Sequence, residues 1–262
     1  MLLVDDQPPP GNDARRGALV SDPGGASWSG RELTGTGFDG DLGAADVSLL
    51  VALDNPQDET VLTRAVAHAR LLVPIVAAPR EDDAGEPIAE KSGHLRSTDL
   101  AVVTLTASDG QRAFPVFSSL AALLAWDATA RPSPVTSSRA AQGAVTERCD
   151  VMLLDCGSAH ERVLRPSMVW ALAQQRVWLP AHTDPFVAQA LVRATADEED
   201  VLECVGEGDP AGAGILRVVL ILRDGLDADR VQALATRIGE RIATDGEARA
   251  RIDGLAFTIR HA

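Results

Sequence analysis

Between residues 99 and 117 the chain reads DLAVVTLTASDGQRAFPVF, and no other segment leaves the fold so little freedom. Val103 and Leu105 alternate with Thr104 and Thr106, the period-two pattern of a half-buried strand. Asp109-Gly110 breaks the run and supplies the positive φ that a tight hairpin needs. The return strand covers 112–117. Pro115 has no N–H to give, so it belongs on an edge or near the strand's end. Ser118 or Ser119 can then cap a helix whose apolar stripe is Leu120, Leu123 and Leu124. Arg131-Pro132-Ser133-Pro134 forbids helix and returns the chain in extended form. A hairpin, a capped helix and an extended return within 40 residues commit this region to a sheet with helices packed on it.

The flanking segments extend that plan. Asp46 caps a short helix that ends near Asn55-Pro56. A second helix spans about 57–69, with Val61, Leu62, Ala65, Val66 and Ala69 on one apolar stripe, and 71–77 reads as a buried strand. Beyond the return segment come a helix over 137–146, a strand in CDVMLLD and a helix in RPSMVWALAQQ. Pro166 stands in that helix's first turn, where a missing N–H costs nothing. RVWLPA is a short extended piece. From about Asp184 an α-β-β-α-β unit follows: a helix in DPFVAQALVRAT, strands in DVLECVGEG and ILRVVLILR, a helix capped by Asp227, and a closing strand in DGLAFTIRHA. Val231, Leu234, Ala235, Ile238 and Ile242 share one face of the Asp227-capped helix.

The expected class is α+β (mixed α/β) in three parts: a disordered tail over 1–34, a domain over 35–183 and a small α+β domain over 184–262. The tail is too rich in Gly, Pro, Asp and Ser to offset chain entropy by burial, and Trp28 is its odd member. Residues 79–96 form a charged loop. With 24 basic against 38 acidic residues the net charge is −14, which repels phosphate backbones and argues against nucleic acid. No stretch is long or apolar enough for a bilayer. Three cysteines, an odd number, do not make a disulfide framework, and they place the protein in the cytoplasm as free thiols.

No constellation of catalytic or metal-binding residues emerges. Asp39 and Asp41 open like a calcium loop, but its glycine and its closing glutamate are missing. The glycines of GEGDPAGAG lead into a strand, whereas a phosphate cradle leads into a helix. DCGSAH places Cys156, Ser158 and His160 close together. It breaks the papain-type pattern at Ala159 and is read as a turn leaving a strand. Cys149, Cys156 and His160 are spaced too irregularly for zinc. His68 falls on a solvated helix face.

FPVFSSLAALLAWDATARPSPV closely resembles the SseB N-terminal domain in the form found in high-GC Gram-positive bacteria. The residues that carry the likeness are Asp109-Gly110, Pro115-Val116-Phe117-Ser118-Ser119, Trp126 and Arg131-Pro132. GTGF at 35–38, ARLLVPIVA at 69–77, WALAQQRVWLP at 170–180 and RVVLILRDGLD at 217–227 are similar to this family as well. Ser118 stands where the family usually has Thr, and keeps the hydroxyl. The resemblance implies an SseB-like domain with a mixed sheet and flanking helices, and it brings no catalytic residue and no cofactor. The expected function is that of a non-enzymatic accessory protein with a protein partner. The alternatives are a small-molecule or peptide-binding regulatory domain and, third, an undetected hydrolase or transferase. Phe117, Ser118, Ser119, Trp126, Arg131 and Trp178 form the candidate interaction surface.

Overall fold

Helix α1 (Val47–Asp54) starts where its cap lies: the Asp46 carboxylate accepts the Leu49 N–H at 3.1 Å. Asp58 does the same for α2 (Glu59–His68), accepting from Val61 N–H at 2.9 Å. The computed structural model that shows these elements describes residues 37–55, 57–79, 98–210 and 214–261. The tail expected over 1–34, Trp28, GTGF up to Thr36, the charged loop from residue 80 to 96 and the middle of the glycine-rich turn lie outside the described residues. In the unit Met1–Asp41 the described residues form a turn closed by Asp41 N–H donating to the Phe38 carbonyl (2.9 Å).

The unit Leu42–Ala262 carries three sheets among the described residues. In the first, β1 (Arg70–Pro79) lies between β2 (Thr98–Val102) and β5 (Arg131–Thr136), antiparallel to both. The second has the order β3 (Leu105–Thr106), β4 (Arg112–Val116), β6 (Val151–Leu154), β7 (Arg162–Leu164). Strands β4 and β6 are parallel, which requires a long crossover. That crossover holds α3 (Leu120–Trp126), β5 and α4 (Ser137–Thr146). One bridge joins the two sheets: Leu72 and Phe117 exchange both backbone hydrogen bonds, at 2.8 and 2.9 Å.

The segment read as one strand before the hairpin is divided. Its first part pairs in the first sheet as β2, and its last two residues pair with β4 as β3. Alternation reports which face a residue takes, not which strand it pairs with. Gly110 has φ +87° as the turn required. Pro115 is the next-to-last residue of β4, and β3 reaches only as far as Ala113.

α5 (Pro166–Ala173) follows β7, and α6 (Pro185–Thr195) opens the last part of the chain. There β9 (Ile215–Leu222) lies between β8 (Val201–Gly208), antiparallel, and β10 (Gly254–His261), parallel. α7 (Ala228–Thr244) and the short α8 (Gly246–Arg249) make the crossover. The expected α-β-β-α-β order is present, with α8 added. Leu234, Ile238 and Ile242 of α7 and Val187 and Leu191 of α6 bury one face of this sheet. Another apolar cluster joins α1, α2, β1, β4, α4, β6 and α5. Two residues assigned to helix stripes turn outward instead: Val61 in α2 and Leu124 in α3. RVWLPA joins no sheet, and its last residue, Ala181, opens a short 3-10 turn over Ala181–Thr183.

Candidate interaction surface

The six residues singled out from the sequence do not form one surface. Phe117 is 0% exposed and packs with Leu72, Leu123 and Ala130 at the seam between the first two sheets. Ser118 is buried too, and it caps nothing. Its N–H and its hydroxyl both donate to the Asp155 carboxylate at 2.7 Å. Asp155 holds φ +51°, a left-handed conformation that Asp tolerates better than most residues, and is itself buried. Ser119 alone is the cap of α3, accepting from Ala122 N–H at 3.1 Å. Trp126 is half-buried, its ring 5.3 Å from that of Phe117 and tilted 37°. Arg131 is exposed at the start of β5. Trp178 lies in a different cluster and is only 7% exposed. Phe117 and Ser118 are thus corrected from surface to interior, each with its partner inside the fold, and Trp178, almost covered, lies apart from them.

What the sequence reading missed lies beside the opening stretch. α1 is VSLLVALD, apolar at all but its second and last positions. A surface helix needs one apolar face. Leu49, Ala52 and Leu53 fill that need and are buried. Val47 and Val51 are left 74% and 64% exposed, with Leu50 exposed beside them. α3, LAALLAW, repeats the pattern. Leu123 is buried, while Ala121, Leu124 and Ala125 face out. The almost wholly apolar composition of both helices was the available signal.

Arg70 ties the starts of these helices together. One guanidinium nitrogen donates to the Ser118 carbonyl at 2.9 Å, and the other to the Ala44 carbonyl at 2.5 Å. Leu120 N–H donates to the Gly43 carbonyl at 2.8 Å. Gly43 has φ +79°, and a Cβ there would stand 2.7 Å from the Leu120 Cβ. Only glycine permits this approach. The entry to α1 is therefore fixed against the entry to α3, and the outward apolar residues are held by the fold.

A second feature is polar. Arg165 receives Glu59 in a two-pronged ion pair and Asp253 at 2.9 Å, and lies over the Trp178 ring at 5.8 Å. Asp253 also accepts from Ser167 N–H (2.7 Å) and its hydroxyl (2.8 Å), and Trp178 Nε1–H donates to that hydroxyl (2.9 Å). Burial presses Arg165 toward losing its proton, but the hydrogen bonds and charges of Glu59 and Asp253 outweigh it and hold its pKa above the ordinary value. This network forms the floor of a cleft of about 440 Å³ that His182, Asp58 and Asp209 also line.

Burial pushes Cys204 up to about 11 and raises Cys156 and Cys149 as well, with Glu161 adding to the effect at Cys156. His160 faces Asp54 at 3.4 Å. Among the described residues no three His, Cys, Asp or Glu side chains converge as metal ligands, and no helix is long and apolar enough to cross a membrane.

Residues 47–171 match the family model described as the SseB protein N-terminal domain. The match begins at the first residue of α1 and ends within α5. No curated protein and no solved structure matches the chain.

Proposed function

We propose, the chain being a member of the SseB family by its N-terminal domain, that it is a non-enzymatic accessory protein which docks a protein partner on the outward faces of α1 and α3. The observation that carries this reading is α1 itself. One side of the helix is in the core, and the other offers Val47, Leu50 and Val51 to water. Clustered apolar side chains held rigidly at a surface mark an interaction site. Their chemistry calls for a partner with an apolar stripe of its own, as an amphipathic helix has. The free thiols, with their raised pKa values, fit a reducing cytoplasmic setting and a role without nucleophilic chemistry.

Affinity capture from native lysate with wild-type and Val51→Glu/Leu124→Glu baits tests the reading. Both positions are exposed, so thermal stability should stay within about 0.5 kcal/mol of wild type. Capture of the specific partner should fall about tenfold, the equivalent of about 1.4 kcal/mol of docking energy. Equal recovery of the same proteins by both baits would remove α1 and α3 as the docking site.

A further inference from the structure

A second cavity, of about 430 Å³, shares Thr60 and Trp178 with the cleft over the Arg165 network. It opens where α2 ends and α4 begins, a junction fixed by the Ser137 hydroxyl donating to the Ala67 carbonyl at 2.9 Å. Its size is that of a small-molecule site. Leu172, Val177 and Trp178 make the apolar part of its wall. The polar part is one-sided in charge. Arg64 and Arg176 line it together with His68, and no carboxylate does. This is unexpected in a chain of net charge −14. The neighbouring cleft shows the contrast, with Asp58, Glu59, Asp209 and Asp253 in its lining.

The two arginines are incompletely used within the protein. Arg64 is exposed, and among the described residues its guanidinium has no ion-pair or hydrogen-bond partner. Arg176 spends one terminal nitrogen on Glu247 at 3.0 Å, while its Nε is buried with no hydrogen-bond partner. A buried donor without an acceptor is costly unless something satisfies it. Hydroxyls complete the wall, with Thr136 and Ser138 3.1 Å apart at the cavity's edge. Guanidinium groups bind oxyanions through charge-assisted, geometrically specific hydrogen bonds. The indole of Trp178 and the side chains of Leu172 and Val177 suit an apolar body.

We propose that this cavity binds a small organic anion: a phosphate or carboxylate head group held by Arg64 and Arg176, on an apolar body seated against Trp178 and Leu172. The site is separate from the helix faces of α1 and α3 and stands or falls independently of a partner there.

Calorimetric titration of the full chain at low salt tests it, with phenyl phosphate and phenylacetate as probes and phenol and inorganic phosphate as controls. At least one of the two aromatic anions should bind with a Kd below about 1 mM, and both controls at least about tenfold more weakly. The tighter of the two anions identifies the head group. Arg64→Ala should weaken that anion about tenfold or more, with Arg64→Lys intermediate. Arg64 is exposed, so circular dichroism should show both variants folded. Failure of both anions to bind at about 10 mM would overturn the proposal, as would equal affinity of wild type and Arg64→Ala.

Discussion

The Arg165 network and the outer face of α1 invert each other. In the first, a guanidinium and two carboxylates are drawn largely out of water. In the second, valines are left in it. A single hydrophobicity rule would have placed each set where the other is. The difference shows what fixes each position. Arg165 is inside because its charge is answered: Glu59 and Asp253 face it from two distant parts of the chain, and the Trp178 ring from nearby in sequence. Buried charge is tolerated when it is paired and hydrogen-bonded. Val47 and Val51 are outside because α1's other side has already filled the core. Nothing in folding requires them to be apolar, which is why the proposed docking site is placed on them.

The sharpest way to break the comparison is to remove the cation. Arg165→Met should leave Glu59 and Asp253 without their counter-charge and cost about 3–5 kcal/mol, read from urea unfolding midpoints. Glu59→Gln should cost less, because Glu59 is the more exposed partner of the two. A wild-type midpoint for Arg165→Met would mean that the network is ornamental, and that burial of charge here needs another explanation.

Trp126 sits between the two extremes, apolar and half-buried. Trp126→Ala removes its contact with Phe117 and Leu123 but leaves no closed cavity, so about 2 kcal/mol is expected in the same assay. A loss nearer 4 kcal/mol would place it with the core.

Much of this fold can be read locally. Asp46 and Asp227 cap the helices they precede, α4 has the expected bounds, and Gly110 takes its positive φ, because such signals act within a few residues. The candidate site was less legible. Arg165 finds Glu59 106 residues away and Asp253 88 residues away, and no short-range pattern encodes such pairs. β7 has three residues, too few for a period to show. Ser118 and Ser119 look alike as caps, and only the carboxylate of Asp155, 37 residues on, decides between them. Phe117 and Trp126 were recognisable as special residues, but their shared place at the seam of two sheets was not.

The smallest expected effect concerns a counterpart of the Arg165 network in which the carboxylate is covered and the two arginines are exposed. The Arg237 hydrogen bond, with Arg241 at 3.0 Å, holds the Glu198 carboxyl below its ordinary value of 4.5. A depressed folded pKa gives stability that is present above the unfolded value and is lost as pH falls through the folded one. Wild type should therefore lose stability more steeply than Glu198→Gln as pH drops below 4.5, and the two curves should run parallel at neutral pH. Identical acid slopes would show that this pair, unlike Arg165, adds nothing measurable.

The Arg165 network also sets an order on synthesis. The helices and strands of the first apolar cluster, from Leu49 to Trp178, leave the ribosome well before Asp253 does. Until then Arg165 has Glu59 alone, and the Ser167 hydroxyl has accepted from Trp178 without a carboxylate to receive its own proton. The nascent chain can thus collapse early, but the hydrogen bonds of Arg165 and Ser167 are completed only when Asp253 arrives, just ahead of β10. Quality control that recognises buried donors without acceptors would find this protein unfinished until that moment.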